Sequence, residues 1–334
     1  MKSMINKTHI EGYLYEHALE KKVSGPNSKN PGTEFISGTI SIATDDACLN
    51  VVPVHFTYTT ATTANGKPNA TFTTLANIVD GTYKTYMQEG KDGAVKLRVD
   101  SAVGLNEFYT DRNGKEELVS AKRNEGGFVH KVDALDEDEK VRNTFKADMI
   151  ITSVTMVEGD PEKNTVDKAV VKGAIFNFRK DLMPVEFSAV NKNAMNYFLG
   201  LDASQKNPVF TCVWGRQVSE TIVRQIVTES AFGEDEVREV KNTRRDFVIT
   251  GAAKEPYVWD DEGSITAAEL NEAIQKREVD LAAMKKRQDE YKASKNRITP
   301  AAAPKPAPNI INLPSLFLYF FLSVLRSICF YFNN

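Results

Sequence analysis

Between His9 and Tyr15 apolar and polar positions alternate. Ile10, Gly12 and Leu14 face one way and His9, Glu11, Tyr13 and Tyr15 the other, the two-residue period of a half-buried strand. The period returns in FISGTISIATDD, with Ile36, Gly38, Ile40 and Ile42 inward and Phe35, Thr39 and Ser41 outward. In NVVPVHFTY, Val52, Val54, Phe56 and Tyr58 oppose His55, and Pro53 marks an edge or a bulge. The connection KKVSGPNSKNPGTE is dense in Gly, Pro, Asn and Lys and reads as a long hairpin link; TTATTANGKPNAT carries Gly66, Lys67 and Pro68. FTTLANIVDGTYKTYM can hold a short helix, after which strands resume in AVKLRVDSAVGLNEFYT, ELVSAKRN and FVHKV. After the acidic loop DALDEDEK, the apolar strand NTFKADMIITSVTMVEG closes this first region.

Short strands with interior glycines and one intervening helix suit a small, strongly curved barrel, and the five-stranded OB-fold is the natural candidate. Ile36-x-Gly38-x-Ile40 followed by Val52-Pro53-Val54-x-Phe56 recurs as Val171-x-Gly173-x-Ile175 followed by Met183-Pro184-Val185-x-Phe187. The recurrence predicts a second, duplicated module, chance similarity between β-rich segments being the alternative. From Ser264 the period becomes helical. Thr266 and Glu269 form a capping box, and Leu270, Ile274, Leu281, Met284 and Tyr291 make a thin apolar stripe broken by Arg277 and Gln288, the pattern of a solvated or weakly coiled helix. The expected architecture is mainly β: OB-like modules over residues 1–158 and 166–259, a helix over 264–295, an Ala/Pro linker over 296–309 and a hydrophobic tail over 310–334.

Composition narrows the chemistry. The 334 residues are 26% charged and 41% apolar with a net charge of -3, so no global basic field exists and anion binding must come from local Lys and Arg clusters. Cys48, Cys212 and Cys329 are isolated, which fits a reducing compartment and offers no zinc spacing. His9, His17, His55 and His130 show no ligand spacing, and no phosphate loop, His-Glu-x-x-His or nucleophile elbow is present. No enzyme, metal or cofactor is expected. The opening residues lack the apolar stretch of a secretory signal, so a cytoplasmic protein is expected.

In this order, INKTHIEGYLYEH, FISGTISIATDD, VPVHF and FKADMIITSVTMVEG resemble the strands of bacterial and phage single-stranded DNA-binding proteins. In that family an Asn-Lys strand with an interior Gly, here Asn6, Lys7 and Gly12, precedes a hairpin, a helix and a final strand. SKNPGTEFISGTISIATD, GLNEFYTDRNG, RNEGGFVH and RRDFVITGAAKEPYVWDDE resemble tailed-phage proteins of the same class and carry the similarity to about Lys295. The resemblance implies an OB-fold that coats single-stranded DNA in phage replication or recombination.

Binding a single strand without choosing its sequence requires aromatic faces for bases and cations for the backbone. Tyr13 and Tyr15 share a strand face and His17 follows them; Lys21, Lys22 and Lys29 lie in the hairpin that family members fold over the strand. Phe35, His55 and Lys67 extend the surface, and Arg112, Lys122 and Arg123 add cations from a later hairpin. The second module offers Phe176, Phe178, Arg179, Lys180, Trp214 and Arg216. Core packing is the competing role of each aromatic residue, and Phe56, Tyr58, Phe108 and Phe128 are assigned to the core. The partners expected are single-stranded DNA, replication or recombination proteins and further copies of the chain, but not a membrane. The rival reading is a phage structural or scaffold protein whose helix drives assembly. Members of the family it resembles commonly end in a short acidic tip after such a linker; here Leu313 to Phe332 is instead an apolar run of bilayer length broken by Pro314 and Arg326, read as out-of-frame or read-through sequence rather than an anchor.

Overall fold

A computed structural model describes residues 4–298 except 113, 161–164, 229–231, 233–235 and 260–263; the expected tail and almost all of the expected linker lie outside the described residues. The first half comprises β1 (Asn6–Val23), β2 (Glu34–Ala43), β3 (Val51–Thr60), α1 (Ala70–Val79), α2 (Tyr86–Gly93), β4 (Lys96–Arg112) and β5 (Lys115–Lys131). The second comprises β6 (Asn143–Val157), β7 (Lys168–Phe176), β8 (Leu182–Ala189), α3 (Lys192–Gly200), β9 (Val209–Thr228), β10 (Glu236–Ala252) and α4 (Ala267–Ile298). The fold is mainly β with a C-terminal helix, as the strand periods predict.

β1 pairs antiparallel with β2 along its second half and with β4 along its first, β2 continues to β3, β4 continues to β5, and β3 and β5 close the ring in parallel at Val54–Asn124 and His55–Glu125. This circuit, with α1 between β3 and β4, is the OB-fold topology. The alternating apolar positions fill it: Ile10, Leu14, Ile40, Ile42, Val54, Phe56, Leu97 and Val99 form one cluster, sealed by Leu75 and Ile78 of α1. The second half repeats the circuit. β6 pairs with β7 and β9, β7 with β8, β9 with β10, and β8 meets β10 in parallel at Ser188–Val248. Here α3 inserts Phe198, and the rings of Phe145, Phe187 and Phe247 contact one another at 5.0 to 5.7 Å in the core.

The recurring motif falls on the second and third strands of each barrel. Gly38 and Gly173 hold equivalent places: a β-carbon would lie 2.0 Å from the carbonyl oxygen of Ala18 in one barrel and of Ile150 in the other. Each glycine lets its second strand press directly against the first strand of its own barrel. Two strand readings change. ELVSAKRN and FVHKV form one strand, β5, bent at Gly126 and Gly127. β6, read as closing the first region, instead opens the second barrel; it also pairs with β1 from Asn6–Ala147 to Ile10–Asn143 and so joins the barrels edge to edge.

Further contacts bind the halves. Asn50 and Asn143 both donate to the Gln217 carbonyl, and the Asn124 amide donates to the Gln217 side chain at 2.7 Å. The β4–β5 ribbon extends over barrel two, where Glu107 accepts two bonds from Arg277 of α4 at 2.6 and 3.2 Å. Leu270 and Ala273 pack with Ile150, Phe176 and Leu182, and the Thr266–Glu269 capping box is formed. The start of α4 is therefore docked rather than solvated, and Arg277 is its clamp rather than a break in its stripe.

Candidate nucleic-acid interface

Register decides the first group of candidates. Leu14 lies opposite Ile42 and Glu16 opposite Ser41, which leaves Tyr15 as the extra residue of a β-bulge. The bulge shifts the parity of everything after it. His17 comes to lie opposite the buried Ile40, its Nδ1 accepts from the Leu19 amide at 3.3 Å, and burial holds its pKa below the ordinary histidine value. Tyr15 stacks on Tyr86 of α2 with centroids 5.2 Å apart, while the Lys91 ammonium sits 5.2 Å over the Tyr13 ring. Tyr13, Tyr15 and His17 therefore do not form one open stacking face. Lys21 pairs with Asp80 at 2.8 Å and Lys22 with Glu20 at 2.9 Å, whereas Lys29 has no ion-pair partner among the described residues. These residues make neither an open basic groove nor a flat apolar patch.

The outward face of β2 and β3 does gather rings. Phe35 packs on Tyr58 at 4.5 Å, and the Tyr58 hydroxyl shares a 3.1 Å hydrogen bond with Ser24 at the base of the β1–β2 connection. His55 stands opposite Thr39, whose hydroxyl lies 3.2 Å from Nδ1; burial, then the nearby Arg123 charge, depresses its pKa, favouring a neutral imidazole at neutral pH. Arg123 is on the adjoining β5, held at 2.8 Å by Glu125, and Lys67 is exposed in the β3–α1 connection. The face of strands two and three, with the β1–β2 and β4–β5 loops, is where OB-folds as a class take oligonucleotides; the β3–α1 connection that carries Lys67 is not one of those loops.

The other candidates separate. Arg112 is exposed at the tip of the β4–β5 ribbon, whose Glu116 pairs with Lys285 of α4 at 3.1 Å. Lys122 is a structural cation: its ammonium donates to the Glu186 carbonyl, lies 5.5 Å from the Phe187 and Phe247 rings and 4.0 Å from Asp246, and burial lowers its pKa. Phe176 is 1% exposed and belongs to the core. Phe178, 88% exposed, caps the β7–β8 turn with Arg179 5.2 Å over its ring and Lys180 beside it in the left-handed conformation. Trp214, 40% exposed, and Arg216 project from the outer face of β9.

Of the aromatics assigned to the core only Phe56 is there; Tyr58, Phe108 and Phe128 are exposed, Phe128 at 68%. The Gly126–Gly127 bend immediately before Phe128 is the signal that could have revealed it. Among the described residues no cluster of His, Cys, Asp or Glu could hold a metal ion, and no described helix is long and apolar enough to cross a membrane.

A family model described as YorF matches residues 5–290. No curated protein matches the chain in sequence. Among solved structures, it is similar to a deletion variant of the single-stranded DNA binding protein from Thermus aquaticus, with 10% identity and a TM-score of 0.44 over 78% of this chain and 97% of that one. The wild-type Thermus aquaticus protein gives 10% identity and a TM-score of 0.43 over 77% and 95%. At these scores the barrel assignment rests on the strand pairing itself.

Proposed function

The chain belongs to the YorF family, and from the geometry of its first barrel we propose that it binds single-stranded DNA on the outer face of that barrel. The observation that carries the reading is the grouping of Phe35, Tyr58 and His55 on β2 and β3, bordered by loops in which Lys29 and Lys67 have no ion-pair partner among the described residues. Rings accept any base on their faces, at about 1–3 kcal/mol per stacked base, and the lysines release counterions when they meet phosphates. Binding is therefore sequence-tolerant and weakens with salt. His55, held toward its neutral form, acts as a ring and hydrogen-bonding group rather than as a cation.

The finer role we propose is stoichiometric coating of single-stranded DNA during phage replication or recombination, without catalysis. Fluorescence anisotropy of a labelled oligothymidine, run beside a duplex of equal length, tests the reading. Preference for the single strand is expected; equal or absent binding overturns it.

A further inference from the structure

Lys7 and Lys146 stand directly opposite each other where β1 pairs with β6, and Trp214 stands opposite Lys146 where β6 pairs with β9. Three neighbouring strands, drawn from both barrels and spaced by about 4.8 Å, thus align two ammonium groups and an indole in one row. All three side chains are exposed. Neither lysine has an ion-pair or hydrogen-bond partner among the described residues. The carboxylate two residues along β6, Asp148, is buried and already engaged by the Ile5 amide at 2.8 Å and the Tyr257 hydroxyl at 3.1 Å.

Like charges directly opposite on a sheet repel, so the Lys7–Lys146 pair is unfavourable unless an anion lies over it. The indole beside them is flatly seated: a β-carbon on Gly251 would come within 2.4 Å of its Nε1. Arg216, two residues along the same face, continues the row. With Lys254 it lines a groove of about 850 Å³ between α3 and β10.

We propose that this row is a second contact for single-stranded DNA, with Lys7 and Lys146 on phosphates, a base stacked on Trp214 and Arg216 leading the strand toward the α3 groove. The proposal rests on the single-strand reading above and adds the seam and barrel two to the path. A duplex would supply phosphates but keep its base faces stacked, and an acidic peptide would supply carboxylates without a planar ring for the indole.

The test uses the full chain, with Lys7→Ala/Lys146→Ala and Trp214→Ala as variants and their thermal unfolding checked against wild type. Removing two exposed, mutually repelling charges leaves the fold intact. Anisotropy with labelled oligothymidine over a salt series should show the slope of log affinity against log salt reduced by about 1.4 in the lysine variant, at roughly 0.7 per phosphate. Trp214→Ala should weaken binding roughly 5- to 150-fold, the range for one lost base stack, and abolish the quenching of intrinsic fluorescence that the oligonucleotide causes in wild type. Wild-type binding with slope, affinity and quenching unchanged in the variants overturns the row and leaves the function standing. Failure of the wild type to bind overturns both. If only sedimentation changes in the variants, the row is an interface between copies and the proposal falls.

Discussion

The rings of Tyr15 and Tyr86 lie 14° from parallel with centroids 5.2 Å apart, so the residue that bulges out of β1 forms the seat of α2. Tyr15 is thus coupled to the fold. A double-mutant cycle of Tyr15→Ala and Tyr86→Ala in urea unfolding should give a coupling of about 0.5–1.5 kcal/mol, with oligothymidine affinity of the folded protein unchanged. Zero coupling together with lost affinity would return Tyr15 to the interface.

Phe35→Ala and His55→Ala should each weaken oligothymidine binding by about 1–3 kcal/mol. Phe176→Ala should do the reverse, costing about 3–5 kcal/mol of stability while the folded fraction binds normally. Titrations paired with denaturation curves separate the two outcomes.

Salt dependence should distinguish lysines with and without carboxylate partners. Lys29→Ala with Lys67→Ala is expected to flatten the slope of log affinity against log salt by about 1.4. Lys21→Ala with Lys22→Ala should change it less, because Asp80 and Glu20 already neutralise these ammonium groups. A larger effect from the second pair would place the strand along the β1–β2 hairpin instead.

Gly38→Ala and Gly173→Ala should each destabilise by about 3 kcal/mol or more, since the added carbon would sit 2.0 Å from a backbone carbonyl oxygen that cannot move without opening the barrel. Gly38 also carries a φ of 128°, which disfavours any β-carbon. Wild-type denaturation midpoints in either variant would contradict the close strand approach.

Burial holds His17 and His55 below the ordinary value of 6.5, with Arg123 adding to the effect at His55. Between those lowered values and 6.5 the unfolded chain binds more protons than the folded one. The stability from this source is complete above pH 6.5 and is lost as pH falls through the lowered values. Urea midpoints should therefore drop as pH falls below 6.5, and His17→Gln with His55→Gln should flatten that drop; an unaltered profile would remove these histidines as its source.

Strands, the duplicated motif and the helix cap were legible because each depends on neighbours a few residues away. Parity was not legible past Leu14, because a single extra residue at Tyr15 turns His17 inward and no local pattern announces the bulge. By sequence Lys122 is a candidate phosphate contact; its burial arises only where the β4–β5 ribbon meets Phe187 and Phe247 of the other barrel. Lys7 and Lys146 cannot be associated without the register of β1 against β6, and Phe128 is core by residue type although the bend before it leaves it outside. The sequence displayed periodicity well and long-range register hardly at all.

Joining two barrels in one chain also removes a constraint of symmetry. In a two-fold dimer of a single barrel, every side chain on one half recurs on the other. Here Lys122 is present once, reaching from the ribbon of barrel one onto the Glu186 carbonyl of barrel two, and nothing obliges barrel two to return the contact. The β2–β3 face of one barrel can keep its rings outward while the matching β7–β8 face of the other is crossed by a ribbon, so a molecule built from two similar halves has a front and a back.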